Sequence, residues 1–111
     1  MKMCSIASGS SGNCIYVASE DTHILIDAGI SKKRIVEGLS SIGADINCIS
    51  GILVTHEHSD HISGLGVMAR AYNIPIYGTR ETLQAVDEYK NTGNINSELY
   101  HPIVPDEEFY I

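Results

Sequence analysis

No stretch of this sequence approaches the roughly 18 consecutive apolar residues that a membrane helix requires, so a helical span and membrane association are not expected. Met1-Lys2-Met3-Cys4-Ser5-Ile6 carries one positive charge and has no apolar run behind it. It does not read as a secretory leader, and the expected location is the cytoplasm. Cysteine is scarce and unpatterned: Cys4, Cys14 and Cys48 form no C-x-x-C pair. An odd count outside a secreted setting argues against a disulfide framework, and the thiols are expected reduced and buried as small hydrophobes, Cys14 above all. Basic residues are also few, 7 against 14 acidic, for a net charge of −7 and a pI near 5.0. Passive nucleic-acid binding needs clustered Lys and Arg and is disfavoured. A nucleic-acid enzyme is not, because bound dications can reverse the field in a cleft. Internal repeats, low-complexity tracts and linkers are all missing.

What remains is one domain's worth of globular sequence: 111 residues, 43% hydrophobic and 19% charged. Met3 to Ala7 reads as a strand, followed by the turn-rich run Ser8 to Asn13. Cys14–Ala18 and Thr22–Ile26 read as an antiparallel hairpin closed at Glu20-Asp21. Ser31 is a helix N-cap for a segment through about Ser41, with Ile35, Leu39 and Ile42 on one face and Gly43 as its stop. Gly51 to Thr55 is a continuous apolar run, the pattern of a strand buried on both faces. A helix is expected from about Asp60 to Tyr72, burying Ile62, Leu65, Ala69 and Tyr72. Ile74 to Tyr77 reads as a strand, with Pro75 near its start or at an edge. A last helix capped by Thr79 runs to about Tyr89 and buries Leu83 and Val86, and the tail from Asn91 is loop-rich with one strand near Phe109. Strands alternating with helices after an opening hairpin indicate an α/β layered domain.

The chemistry is concentrated in Thr55-His56-Glu57-His58-Ser59-Asp60-His61, directly after the buried strand. His56 and His58, two apart, can project to one side of an extended segment, and the chain then turns into a helix that begins at Asp60 and His61. With 5 histidines and 6 aspartates in 111 residues, H-x-H-x-D-H arises by chance about 5 times in ten thousand. The constellation therefore predicts a metal site, and imidazole with carboxylate suits Zn²⁺, and also Fe or Mn. It is not the zincin motif, because Asp60 rather than a histidine lies four residues after His56. Glu57 is expected solvated and His23 structural.

His56-x-His58-x-Asp60-His61-x-x-Gly64-Leu65 resembles the signature of the metallo-β-lactamase-fold hydrolases, in the form frequent among their phosphodiesterases and nucleases. Ser8-Gly9-Ser10-Ser11-Gly12-Asn13-Cys14 and Leu25-Ile26-Asp27-Ala28-Gly29 resemble one bacterial branch, the WalJ/YycJ type, associated with exonuclease activity on DNA. The resemblance implies an α/β fold, the N-terminal half of an αβ/βα four-layer sandwich. It also implies a two-metal site in which His56 and His58 bind one divalent ion and Asp60 and His61 a second, with Zn most expected. Asp60 would also orient the nucleophile, and Asp27 would fix the motif loop by hydrogen bonds from behind the ligands. The family's further ligands, a histidine, a bridging aspartate and a final histidine, have no match here. His101 precedes Pro102 in the tail and is expected at the surface. Residues 1–111 are thus expected to form a partial domain whose C-terminal half is absent, with an uncovered sheet face that favours self-association.

Three functions follow as expectations. The first is a DNA exonuclease in full-length form, with nucleic acid as substrate. The second is a small-molecule hydrolase of thioesters or lactones, which the acidic pI favours. The third is a segment that is catalytically inactive by itself. Ser8–Asn13 matches neither the P-loop nor the dinucleotide fingerprint and is expected to be an ordinary turn rather than a phosphate cradle. Lys32-Lys33-Arg34, the one basic cluster, is expected to be a solvated face.

Overall fold

Buried and half-buried residues alternate along Cys14–Ala18, the pattern of a strand with one face on the core. The computed structural model describes all 111 residues. Strands β1 (Lys2–Ala7), β2 (Cys14–Ser19) and β3 (Thr22–Ile26) run antiparallel. From β3 the pairing turns parallel through β4 (Ile49–Leu53), β5 (Ile76–Thr79) and β6 (Tyr100–Ile103), giving one six-stranded sheet in sequence order. Helices α1 (Lys32–Ser41), α2 (Ser59–Ile62), α3 (Leu65–Tyr72) and α4 (Arg80–Glu88) supply the parallel crossovers and the turn before β6.

Register divides the sheet into two faces. Tyr16, Leu25, Ile52 and Ile76 are cross-strand partners in series and bury against Ile35 and Leu39 of α1, Leu65 and Met68 of α3, and Leu83 and Val86 of α4. The opposite face carries Val17, Ile24, Leu53 and Tyr77, all only half-buried. The C-terminal residues Phe109 to Ile111 lie along part of this face and leave an apolar groove of ≈ 310 Å³ beside Val17 and Ile24. The chain is a two-layer αβ unit, one sheet with helices on a single face.

The caps are as the residue types dictate: Ser31 Oγ accepts from Arg34 N–H, and Thr79 Oγ1 from Thr82 N–H. Gly43, at φ +75°, ends α1. Several expected boundaries are corrected. β4 starts at Ile49 and ends at Leu53, although Val54 N–H still reaches Tyr77 O. Pro75 lies just outside β5, its carbonyl accepting from Ile52. The tail strand is at Tyr100–Ile103 rather than near Phe109: the sheet edge tolerates Pro102, which has no N–H to contribute. His101 therefore sits in a strand, exposed, with its ring stacked 4.9 Å from that of Tyr77. Cys14 is buried, but Cys4 is only partly so and Cys48 is exposed beside β4.

The expected helix over Asp60 to Tyr72 is two helices. Gly64 N–H donates to Ala28 O at 2.8 Å instead of continuing the helical ladder, and a Cβ on Gly64 would lie 1.9 Å from Ile30 O. Tertiary backbone contact breaks the helix there, and Gly64 is the residue that allows it. Tyr72 is only half-buried, and Met68 takes the central place in the packing.

Candidate metal centre

The motif loop leaves the C-terminal end of β4 beside the end of β3, because the two strands are parallel neighbours. Asp27, the residue after β3, adopts φ +66°, a left-handed conformation that Asp tolerates better than branched residues. The residue is 4% exposed, and its carboxylate is satisfied by the motif. Oδ1 accepts from Thr55 N–H at 2.8 Å; Oδ2 accepts from Thr55 Oγ1 at 2.6 Å and from His61 Nδ1 at 2.6 Å.

These bonds decide two tautomers. His61 donates through Nδ1, which leaves Nε2 with its lone pair, 3.5 Å from Asp60 Oδ2. Thr55 has one hydroxyl hydrogen, and Asp27 takes it. The 3.1 Å contact between Thr55 Oγ1 and His56 Nδ1 is then a bond donated by His56, whose Nε2 is likewise free to act as a ligand. The rings of His56 and His61 are 4.8 Å apart, and those of His56 and His58 6.1 Å. His56 and His58 are exposed, while Asp60 and His61 are half-buried at the start of α2. Glu57 is exposed.

Three imidazoles and a carboxylate on one loop and one helical turn fit a divalent ion by donor type. They do not close on a common point: no three His, Cys, Asp or Glu side chains stand close enough together to hold one.

Around the motif, the Ser8–Asn13 turn and the Asp27–Gly29 turn pack backbone to backbone. Ala28 N–H donates to His61 O, Gly29 N–H to Asn13 O, and Asn13 N–H to Asp60 O. Ser63 Oγ donates to Gly29 O at 2.6 Å. The amides of Gly9, Gly12 and Asn13 are spent on internal bonds that hold this turn closed and against Asp60. Lys32, Lys33 and Arg34 are exposed, with Lys32 Nζ 5.5 Å from the centre of the Tyr72 ring. His23 accompanies Tyr16, its Nδ1 at 2.7 Å from the hydroxyl. Burial, with the charge of Asp27 adding, pushes the Cys14 thiol up to about 12, so it is a packing group and not a nucleophile. Sequence reasoning overlooked Thr55 and Asn13. Their signal was position alone, one at the strand end before the motif and one at the end of the Gly/Ser turn.

A family model described as the metallo-beta-lactamase superfamily matches residues 7–96. The chain is 48% identical over 90 residues to exodeoxyribonuclease YycJ of Bacillus anthracis, covering 81% of this chain and 33% of that protein. It is 43% identical over 96 residues to exodeoxyribonuclease WalJ of Streptococcus pneumoniae, covering 86% and 36%. Among solved structures, a B3 metallo-β-lactamase with an active-site glutamic acid superposes with a TM-score of 0.80 at 18% identity, over 98% of this chain and 45% of that one. The chain spans about a third of the length of the curated relatives it matches. Members of the matched superfamily bind divalent metals, usually zinc.

Proposed function

This chain belongs to the metallo-β-lactamase superfamily, and from that premise we propose that it is the first half of a metal-dependent phosphodiesterase domain, a DNA exonuclease in full-length form. The supporting observation is the buried Asp27 carboxylate, which grips Thr55 and His61 from behind and leaves Nε2 of His56 and His61 available as donors. The choice of DNA rests on the relatives named exodeoxyribonuclease.

In this reading His56 and His58 hold one divalent ion and Asp60 and His61 a second, zinc first and Mn or Fe as alternatives. Bound ions supply Lewis-acid polarisation and an acidified water at neutral pH. Asp60 orients the attacking water as well as serving as ligand. Asp27 keeps the His61 ring turned so that Nε2 faces Asp60. The test is nucleotide release from DNA by the full-length protein with Mn²⁺ or Zn²⁺, set beside thioester cleavage. Metal-dependent release, lost in His56→Ala, is the expected result. Brisk thioester turnover without nucleotide release would reassign the protein to small-molecule hydrolysis, the reading its net charge of −7 favours.

For residues 1–111 by themselves, a catalytically inert segment is the better reading, since they carry only His56, His58, Asp60 and His61 of the ligands that a two-metal site of this family needs. The remaining ligands, a histidine, an aspartate and a second histidine, are proposed to lie outside these residues.

A further inference from the structure

Asn13 has a density of contacts that a turn residue does not need. Its side-chain Oδ1 accepts from Gly9 N–H at 3.1 Å, and Nδ2 donates back to Gly9 O at 3.0 Å, closing the Gly/Ser turn on itself. The same Nδ2 has a second hydrogen, directed to Asp60 at 3.1 Å from the backbone carbonyl and 3.4 Å from carboxylate Oδ2. The backbone repeats the link, with Asn13 N–H on Asp60 O at 2.7 Å. From the other side His61 Nε2 stands 3.5 Å from that same Oδ2, and Oδ1 of Asp60 has no hydrogen-bond partner.

We propose that Asn13 is a positioning residue for Asp60: its amide holds the carbonyl of Asp60 and carboxylate Oδ2, the oxygen that faces His61 Nε2, and so fixes the orientation of the carboxylate toward a divalent ion. The inference rests on the reading of Asp60 as a metal ligand. The residue type follows from the bond count. Only a short side chain with one acceptor and two donor hydrogens can close the turn on Gly9 and still reach Asp60. Aspartate would lose both donors and set a second anion beside the first, and serine has a single hydrogen to give. Gly29 belongs to the same arrangement, because a Cβ there would lie 1.8 Å from Asp60 O and 2.8 Å from Asn13 N. The bare backbone at Gly29 lets the two residues meet.

The test is a double-mutant cycle read as Zn²⁺ affinity by calorimetric titration of the protein as encoded in full. The four forms are wild type, Asn13→Ala, Asp60→Ala and the double variant. Asn13→Ala is expected to weaken Zn²⁺ binding about tenfold when Asp60 is present and to have no further effect when it is absent. Equal weakening in both backgrounds, or none where Asp60→Ala does weaken binding, would overturn the positioning role and leave the ligand reading standing. Unchanged affinity in Asp60→Ala would overturn the ligand reading, and this inference with it. Where Asn13→Ala does not fold, Asn13→Asp replaces it in the same cycle, keeping the volume and the acceptor for Gly9 while removing the donors to Asp60.

Discussion

His61 Nδ1 and Asp27 Oδ2 stand 2.6 Å apart across 34 residues of sequence, and this bond joins the end of β3 to the helix that follows β4. The same carboxylate also accepts from Thr55 N–H and Thr55 Oγ1, so three bonds to the motif loop meet on it. Asp27→Asn preserves its size and its tolerance of φ +66° but turns one acceptor into a donor facing Thr55 or His61. The expected cost is about 2 kcal/mol of stability in urea unfolding. Zn²⁺ affinity of the full-length protein is expected to fall roughly 10- to 100-fold. An unchanged affinity would separate Asp27 from the metal centre.

In the 111-residue chain alone, titration with Zn²⁺ is expected to show one weak site that His56→Ala or His58→Ala abolishes. Two tight sites would mean that the remaining ligands lie within these residues.

Two glycine substitutions should differ sharply. Gly29→Ala places a methyl group 1.8 Å from the Asp60 carbonyl, where only backbone displacement can relieve it. The expected loss is about 3 kcal/mol. Gly43→Ala meets nothing within 4 Å and bears only the strain of φ +75°, about 1 kcal/mol. Thermal unfolding of the two variants checks the difference, and equal losses would count against the packed three-turn arrangement.

Stability should fall on the alkaline side. The unfolded chain releases the Cys14 proton near 9.0, whereas burial holds it in the fold to about 12. Tyr100 behaves alike, its hydroxyl moving from 10.0 to about 12 through burial and then the charge of Asp87. Both contributions are complete below the unfolded values and are lost as pH rises toward about 12, because the unfolded state then binds fewer protons. Urea midpoints measured across that window should decline less steeply in Cys14→Ala and Tyr100→Phe than in wild type.

The half-buried face of Val17, Ile24, Leu53 and Tyr77 is covered only in part by Phe109–Ile111. The isolated chain is expected to self-associate in sedimentation, and Val17→Lys to reduce it. A monomer with a cooperative melt would show that the tail closes this face.

Local signals were legible wherever a residue's structural preference is set by its near neighbours. Ser31 and Thr79 cap helices through their own hydroxyls and Gly43 adopts a conformation other residues resist, whereas the apolar run Gly51–Thr55 suggested burial on both faces and Leu53, on the face away from the helices, is only half-buried. The motif from His56 to His61 stood out in the same way, by spacing alone. The strand at Tyr100 was hidden because Pro102 breaks the strand pattern and is tolerated only at an edge, and whether a strand is an edge is a property of the whole sheet. The break at Gly64 was hidden because the helical periodicity continues through it, while the competing hydrogen bond comes from Ala28, 36 residues earlier. The roles of Thr55 and Asn13 belong to the same class. Thr55 meets Asp27 because β3 and β4 lie side by side in parallel, and Asn13 meets Asp60 because the antiparallel pairing of β2 with β3 brings its turn to the same edge of the sheet. Donor identity is written along the chain; donor orientation depends on which loops the sheet sets side by side, and the bonds that fix it reach across tens of residues.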